Sequence, residues 1–90
     1  MSGKAHIVRK AWKVVIRHQD WSDRQSFAEE QAARDWANER IPKYPSRVDS
    51  VRLLRYDCEA SKWVLAAIHI PGLSKEQHIL SGYECYVERF

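Results

Sequence analysis

The sequence predicts an α+β fold of two layers, with one amphipathic helix at about 26–41 packed on an antiparallel sheet of about four strands, in the order β-α-β-β-β. Three observations predict it. Apolar residues recur at three- and four-residue steps only between Ser26 and Ile41. The runs on either side are rich in β-branched and aromatic residues that alternate with polar ones. No repeat, low-complexity tract or linker interrupts the 90 residues, so residues 1–90 read as a single domain.

The first element is a strand within His6 to His18, where Val8, Trp12, Val14 and Ile16 share one parity. The opposite parity carries Arg9, Lys13, Val15 and Arg17, which makes that face basic. Asp20, Ser22 and Asp23 then favour turns, and a short strand fits Arg24 to Phe27. The helix follows. Ser26 and Glu29 have capping-box spacing, and Ala32, Ala33, Trp36, Ala37 and Ile41 line one helical face. Glu30, Arg34, Asp35 and Asn38 occupy the other face, and Pro42 and Pro45 end the helix.

Val48 to Tyr56 and Lys62 to Ile70, separated by DCEAS, read as a β-hairpin. The second arm is apolar on both faces and is expected at the centre of the sheet. Gly82 to Phe90 completes the set as a half-buried strand, with Tyr83, Cys85 and Val87 alternating against Glu84, Tyr86 and Glu88. The expected packing sets Trp36 against Trp12, Ile16, Ile68 and Val87 and leaves the other sheet face open.

Composition bounds the classes of function. With 44% apolar residues and three glycines, the chain can bury enough surface to fold. No apolar run reaches the roughly 20 residues of a membrane span, and MSGKAHIVRKAW lacks a signal-type apolar segment, so a cytoplasmic location and no membrane partner are expected. Cys58 and Cys85 form no CxxC pair and are expected to be reduced.

Four histidines, His6, His18, His69 and His78, have neither the i, i+4 helical spacing nor the pairing of a metal site, so no metal is expected. Cys58 stands between Asp57 and Glu59, and neighbouring carboxylates raise a thiol pKa, which argues against a nucleophile. GxSxG, Walker, GxGxxG and HExxH patterns are all lacking. The chain is expected to be no enzyme, with no catalytic residues and no cofactor.

What remains is a basic, aromatic surface. Arg9, Lys13 and Arg17 on the first strand and Arg52 and Arg55 on the hairpin, with Tyr56, Trp63 and Tyr86, are the candidate binding residues. Guanidinium groups bracket phosphates while rings stack on bases, and the same residue types are enriched at protein interfaces. Such charges also simply solvate an open face. The sequence leaves the three uses open.

Two resemblances bear on the choice. WKVVIR followed by DRQSFAEEQAARDWANER, within residues 12–40, looks like the arm-binding domain of phage-type tyrosine integrases, in which a strand, a turn, an S-F pair and a helix rich in Glu and Ala recur. That resemblance implies a sheet entering the DNA major groove with Lys13, Arg17 and Arg24 at the nucleic acid. The integrase unit is complete at its helix, whereas here three more strands are expected.

Over its whole length the chain is similar to small phage anti-CRISPR proteins of strand, helix and three-strand layout, which end in a strand like GYECYV at Gly82 to Val87. That similarity implies an inhibitor that blocks a CRISPR effector complex by covering its surface, without a cofactor. Many such inhibitors are acidic; with a net charge of +3, this chain would instead meet an acidic protein patch or guide RNA.

The leading expectation is a non-catalytic binding module of phage or mobile-element type that inhibits a protein or ribonucleoprotein complex by surface occlusion. The alternative is a nucleic-acid-binding accessory domain that contacts DNA or RNA through the basic sheet face. A homodimer could form by pairing of the final strand with its twin.

Overall fold

A computed structural model describes residues 10–41 and 48–90. Within them the chain forms β1 (Trp12–His18), β2 (Ser22–Phe27), α1 (Glu30–Arg40), β3 (Val48–Asp57), β4 (Lys62–His69) and α2 (Lys75–Leu80). The class is α+β, but the order is ββαββα rather than β-α-β-β-β. All pairings are antiparallel, in the spatial order β2-β1-β3-β4. Arg9 and the segment containing Pro42 and Pro45 lie outside the described residues.

The sequence expectation of a helix from Ser26 is corrected by β2. Ser26 and Phe27 pair with Lys13 and Trp12, so their backbone groups belong to the sheet ladder. The helix begins after Glu29, whose extended φ of −123° and ψ of 141° mark the N-cap, and no side chain caps it. The pairing of Phe27 with Trp12 also has a packing reason: it sets the Phe27 ring 5.8 Å from that of Trp36. At the other end the Ile41 N–H still donates to the Ala37 carbonyl, one residue before Pro42.

The core lies between α1 and one sheet face. Val14, Val51 and Leu53, on the two central strands, are fully buried, as are Ala33 and Ala37 of the helix. Small alanines let the helix sit close to the sheet, and Trp36 is only half-buried at the flank, where the Arg40 guanidinium lies 3.8 Å over its ring.

The expected central position of β4 is wrong: β1 and β3 are central, and β4 ends the ladder. Between Leu53 and Leu54 the register slips, so that Leu53 faces Ala67 while Leu54 faces Leu65. The bulge at Ala66 breaks the strand's parity. Ile68 therefore points away from the helix, opposite Arg52, and not toward Trp36.

The run from Gly82 to Phe90 is not a regular strand. It makes one parallel bridge, Ile68 with Tyr86, through Ile68 N–H to Cys85 O at 3.1 Å and Val87 N–H to Ile68 O at 3.0 Å. Beyond it the chain turns to α1, where the Phe90 N–H donates to Asn38 Oδ1 at 2.8 Å and Arg34 Nη1 donates to the Phe90 carbonyl at 3.0 Å. The Cys85 carbonyl, the Val87 N–H and both backbone groups of Phe90 are thus occupied within the chain.

The segment before it holds α2, a short helix that the apolar periodicity does not announce. Its start is the capping box of this chain: Gln77 N–H donates to Ser74 Oγ and Ser74 N–H donates to Gln77 Oε1. Among the described residues no helix is long and apolar enough to cross a membrane.

Candidate nucleic-acid interface

Residues paired across an antiparallel ladder share a face, so the register assigns every strand residue to the helix side or the open side, the latter exposed at Arg17 and Arg24 but closed over Ser50 and Ile68, which are buried. On the open side Val15 lies between Arg24 of β2 and Arg52 of β3. Lys13 and Arg17 flank it along β1. Four cations therefore surround one valine: strand spacing puts Arg24 and Arg52 about 10 Å apart and Lys13 and Arg17 about 14 Å apart at their Cα atoms.

No carboxylate shares the registered positions of this face, because Asp23 pairs with Ile16 and Asp57 with Lys62, both on the helix side. Among the described residues, none of the four cations is in an ion pair. A cluster of one sign raises the energy of the isolated domain by mutual repulsion, and a bound anion relieves it.

The aromatic part lies toward the hairpin turn. Tyr56 pairs with Trp63, their rings meeting edge to face at 5.3 Å. Lys13 Nζ lies 4.2 Å from the Trp63 ring centroid, joining the cationic and aromatic groups across the half-buried Leu54. At the opposite end, the β1–β2 turn encloses an open groove of about 360 Å³ lined by Arg17, His18, Trp21, Asp20 and Asp49 among others. Its two carboxylates end the purely basic stretch.

The structure thus brings together Lys13, Arg17, Arg52, Tyr56 and Trp63 from the predicted set. Arg55 does not join them: it pairs with Trp12 and lies on the helix side. Odd and even spacing within β3 carries this distinction, and a two-residue separation from Leu53 on the core face would have revealed it. Tyr86 is elsewhere too, with its ring 4.0 Å from that of His78 beside the outer edge of β4. Arg24 is implicated in the sequence by the integrase resemblance alone, and the β2 register sets it on the face.

Two further residues have no signal in the sequence. Ser50 is 5% exposed, and its Oγ has no hydrogen-bond partner; the buried Nε of Arg52 has none either. Tyr83 follows α2 and sets its ring 5.8 Å from the Arg52 guanidinium.

His69 and His78 have partners within the chain. Ile70 N–H donates to His78 Nε2 at 3.0 Å, which leaves the ring hydrogen on Nδ1, directed at Ser74 O at 2.8 Å. His69 Nδ1 lies 3.0 Å from the Val87 carbonyl. Among the described residues no group of three or more His, Cys, Asp or Glu side chains is placed to hold a metal ion. Cys58 is exposed in the hairpin turn and Cys85 is half-buried, and both are free thiols.

No protein-family model matches this chain, and no curated protein or solved structure is significantly similar to it.

Proposed function

We propose that this domain is a non-catalytic module that binds nucleic acid, single strands above all, through the open face of its sheet. The observation that carries the reading is the ring of Lys13, Arg17, Arg24 and Arg52 around Val15, continuous with Tyr56 and Trp63. The cations match a phosphate backbone, and the rings offer stacking surface that any base can use. A single strand can present both groups to a sheet at once, whereas a duplex hides its bases.

The test is anisotropy of a fluorescent dT20 and of a matched duplex, titrated with protein across a salt series. Four phosphate contacts on a single strand correspond to a slope of log affinity on log salt of about −3. Salt-sensitive binding that favours dT20 supports the reading, and absence of binding at low salt overturns it.

A second reading keeps a protein or ribonucleoprotein target, such as a CRISPR effector complex, occluded by the same face. It is favoured by the half-buried apolar row of Val15, Leu54 and Leu65 between the charged positions. Apolar area of that kind suits a protein surface better than a phosphate chain. Weak salt dependence with a protein partner would favour this second reading over the first.

A further inference from the structure

We infer that the groove at the β1–β2 turn is a base-recognition subsite that takes guanine. It rests on the nucleic-acid reading for the strand that delivers the base. Beyond the Arg17–Ser22 pair, the His18 N–H donates to the Trp21 carbonyl at 2.8 Å, so only Gln19 and Asp20 form the tip of the turn. His18 and Trp21 face each other across the hairpin, and their rings stack at 3.8 Å with 12° between their planes.

This stacking fixes the plane of the indole. His18 covers one face of it, and Trp21 is still 59% exposed, so the other face is open to a flat ligand. Arg17 belongs to the open side of β1 and His18 to the other, so the groove wraps the end of the sheet. Its volume of about 360 Å³ lies within the roughly 300–1,000 Å³ of small-molecule sites.

Asp20 reaches the groove from the tip of the turn and Asp49 from β3. Ser50 pairs with Arg17 and Val48 with His18, so the register skips Asp49. A bulge of this kind re-aims one side chain and recurs beside functional sites. Arg17, Asp20, Trp21 and Asp49 are all exposed, so a ligand reaches them without displacing any part of the fold. Among the described residues neither Arg17 nor the two carboxylates are in an ion pair.

The mixture of charges selects the ligand. An indole and two carboxylates alone would suit a bare cation, but Arg17 lines the same groove and repels one. A guanine nucleotide answers every group. Its ring stacks on the indole, its adjacent N1–H and 2-amino donors match the two oxygens of one carboxylate, and its phosphate meets the guanidinium. Adenine and cytosine set an acceptor nitrogen beside their amino group, which a carboxylate repels. Thymine offers a single N–H between two carbonyls.

The experiment compares dT10, d(TG)5 and d(TI)5, in which inosine keeps N1–H and lacks the 2-amino group. Affinities are read by anisotropy for the parent, Trp21→Ala and Asp49→Asn, and the Trp21 indole N–H is followed by NMR with guanosine monophosphate. Both variants replace exposed side chains and should keep the parent Tm. The parent should bind d(TG)5 about tenfold more tightly than dT10, the value of one good bidentate pair, with d(TI)5 between them.

Asp49→Asn removes a negative charge, so it should strengthen binding of dT10 while it lowers the preference for guanine. A purely electrostatic role would shift all three oligonucleotides alike. If dT10 and d(TG)5 bind the parent equally, the subsite is overturned while the nucleic-acid reading stands. A guanine preference that survives both variants also overturns the subsite. If no oligonucleotide binds but guanosine monophosphate shifts the Trp21 signal in the parent and not in Asp49→Asn, the reading fails and the subsite survives for a free nucleotide. If neither binding nor a shift is seen, both are overturned.

Discussion

Lys13 and Trp63 stand on strands that do not touch, β1 and β4, yet the Lys13 ammonium lies 4.2 Å from the centroid of the Trp63 ring, having reached across β3. The ammonium covers an indole face that a base would otherwise use, and the base would in turn free the ammonium for a phosphate. Stacking and charge pairing are thereby coupled at one spot. Trp63→Ala should weaken binding of dT20 by about 1–3 kcal/mol, and Trp63→Phe should restore most of it, because a smaller ring still stacks. Anisotropy titrations of the two variants check this; equal affinity for parent and Trp63→Ala would remove Trp63 from the interface.

Charge on the open face should be separable from stability. Replacing Lys13, Arg17 and Arg24 together by alanine should make the salt slope shallower by about 2, because each phosphate neutralised on a single strand contributes about 0.7. Each change should alter stability by no more than about 0.5 kcal/mol, since no ion pair of these residues is broken. Arg55→Ala is the matched control: the same charge is removed from the helix side, and binding should not change. A slope that responds to Arg55 and not to the other three would place the anion on the wrong face.

What the sequence reveals of the fold follows from local pattern. Alternation in WKVVIRH and in VDSVRLLRYD is enough to locate β1 and β3 and the basic parity of β1, because side-chain period two is a property of any strand. The start of α1 is not legible because Ser26 and Glu29 satisfy a capping rule locally, while β1 offers Ser26 and Phe27 a full ladder that only tertiary structure reveals. The parity of β4 is hidden for a similar reason. A bulge leaves no mark in a run as uniformly apolar as WVLAAI, and it moves Ile68 to the other face. The site is half legible, since Lys13 and Arg17 follow from type and parity, and Arg52, Tyr56 and Trp63 from type alone. The placement of one serine hydroxyl at a buried, unpartnered position follows from neither.

Core and flank should separate in denaturation. Leu53 is fully buried on a central strand, so Leu53→Ala should destabilise the fold by about 2–5 kcal/mol, a large part of the roughly 5–15 kcal/mol typical of a domain. Trp36→Ala removes a larger side chain from a half-exposed place, and its effect should be about 2 kcal/mol, roughly half that of a fully buried tryptophan. Urea unfolding of both variants gives the order. A greater loss for Trp36 than for Leu53 would mean that the helix flank, and not the β1–β3 centre, holds the domain together.

His78 is fully buried, and both its ring nitrogens are engaged, one accepting from Ile70 N–H and the other donating to Ser74 O. It ties the start of α2 to the end of β4, and the same ring packs on Tyr86, whose segment bridges to Ile68. His78→Leu keeps the apolar contact but strands the half-buried Ile70 N–H, at a cost of about 1–3 kcal/mol, while the exposed Ser74 carbonyl keeps its bond from the His78 backbone N–H. Because the contacts of His78 run to the end of β4 and to the Tyr86 segment, the loss should be felt in the 70–90 segment first and in β1 and β3 last. Hydrogen exchange reads this directly. The amides of Ile68, Tyr83 and Val87, which hold the segment in place, should exchange faster in His78→Leu while that of Val14 stays protected. His78→Gln, whose carbonyl oxygen can still accept from Ile70, should show a smaller change. Uniform acceleration across the sheet would mean instead that His78 supports the whole core, and that the C-terminal segment is no independent unit.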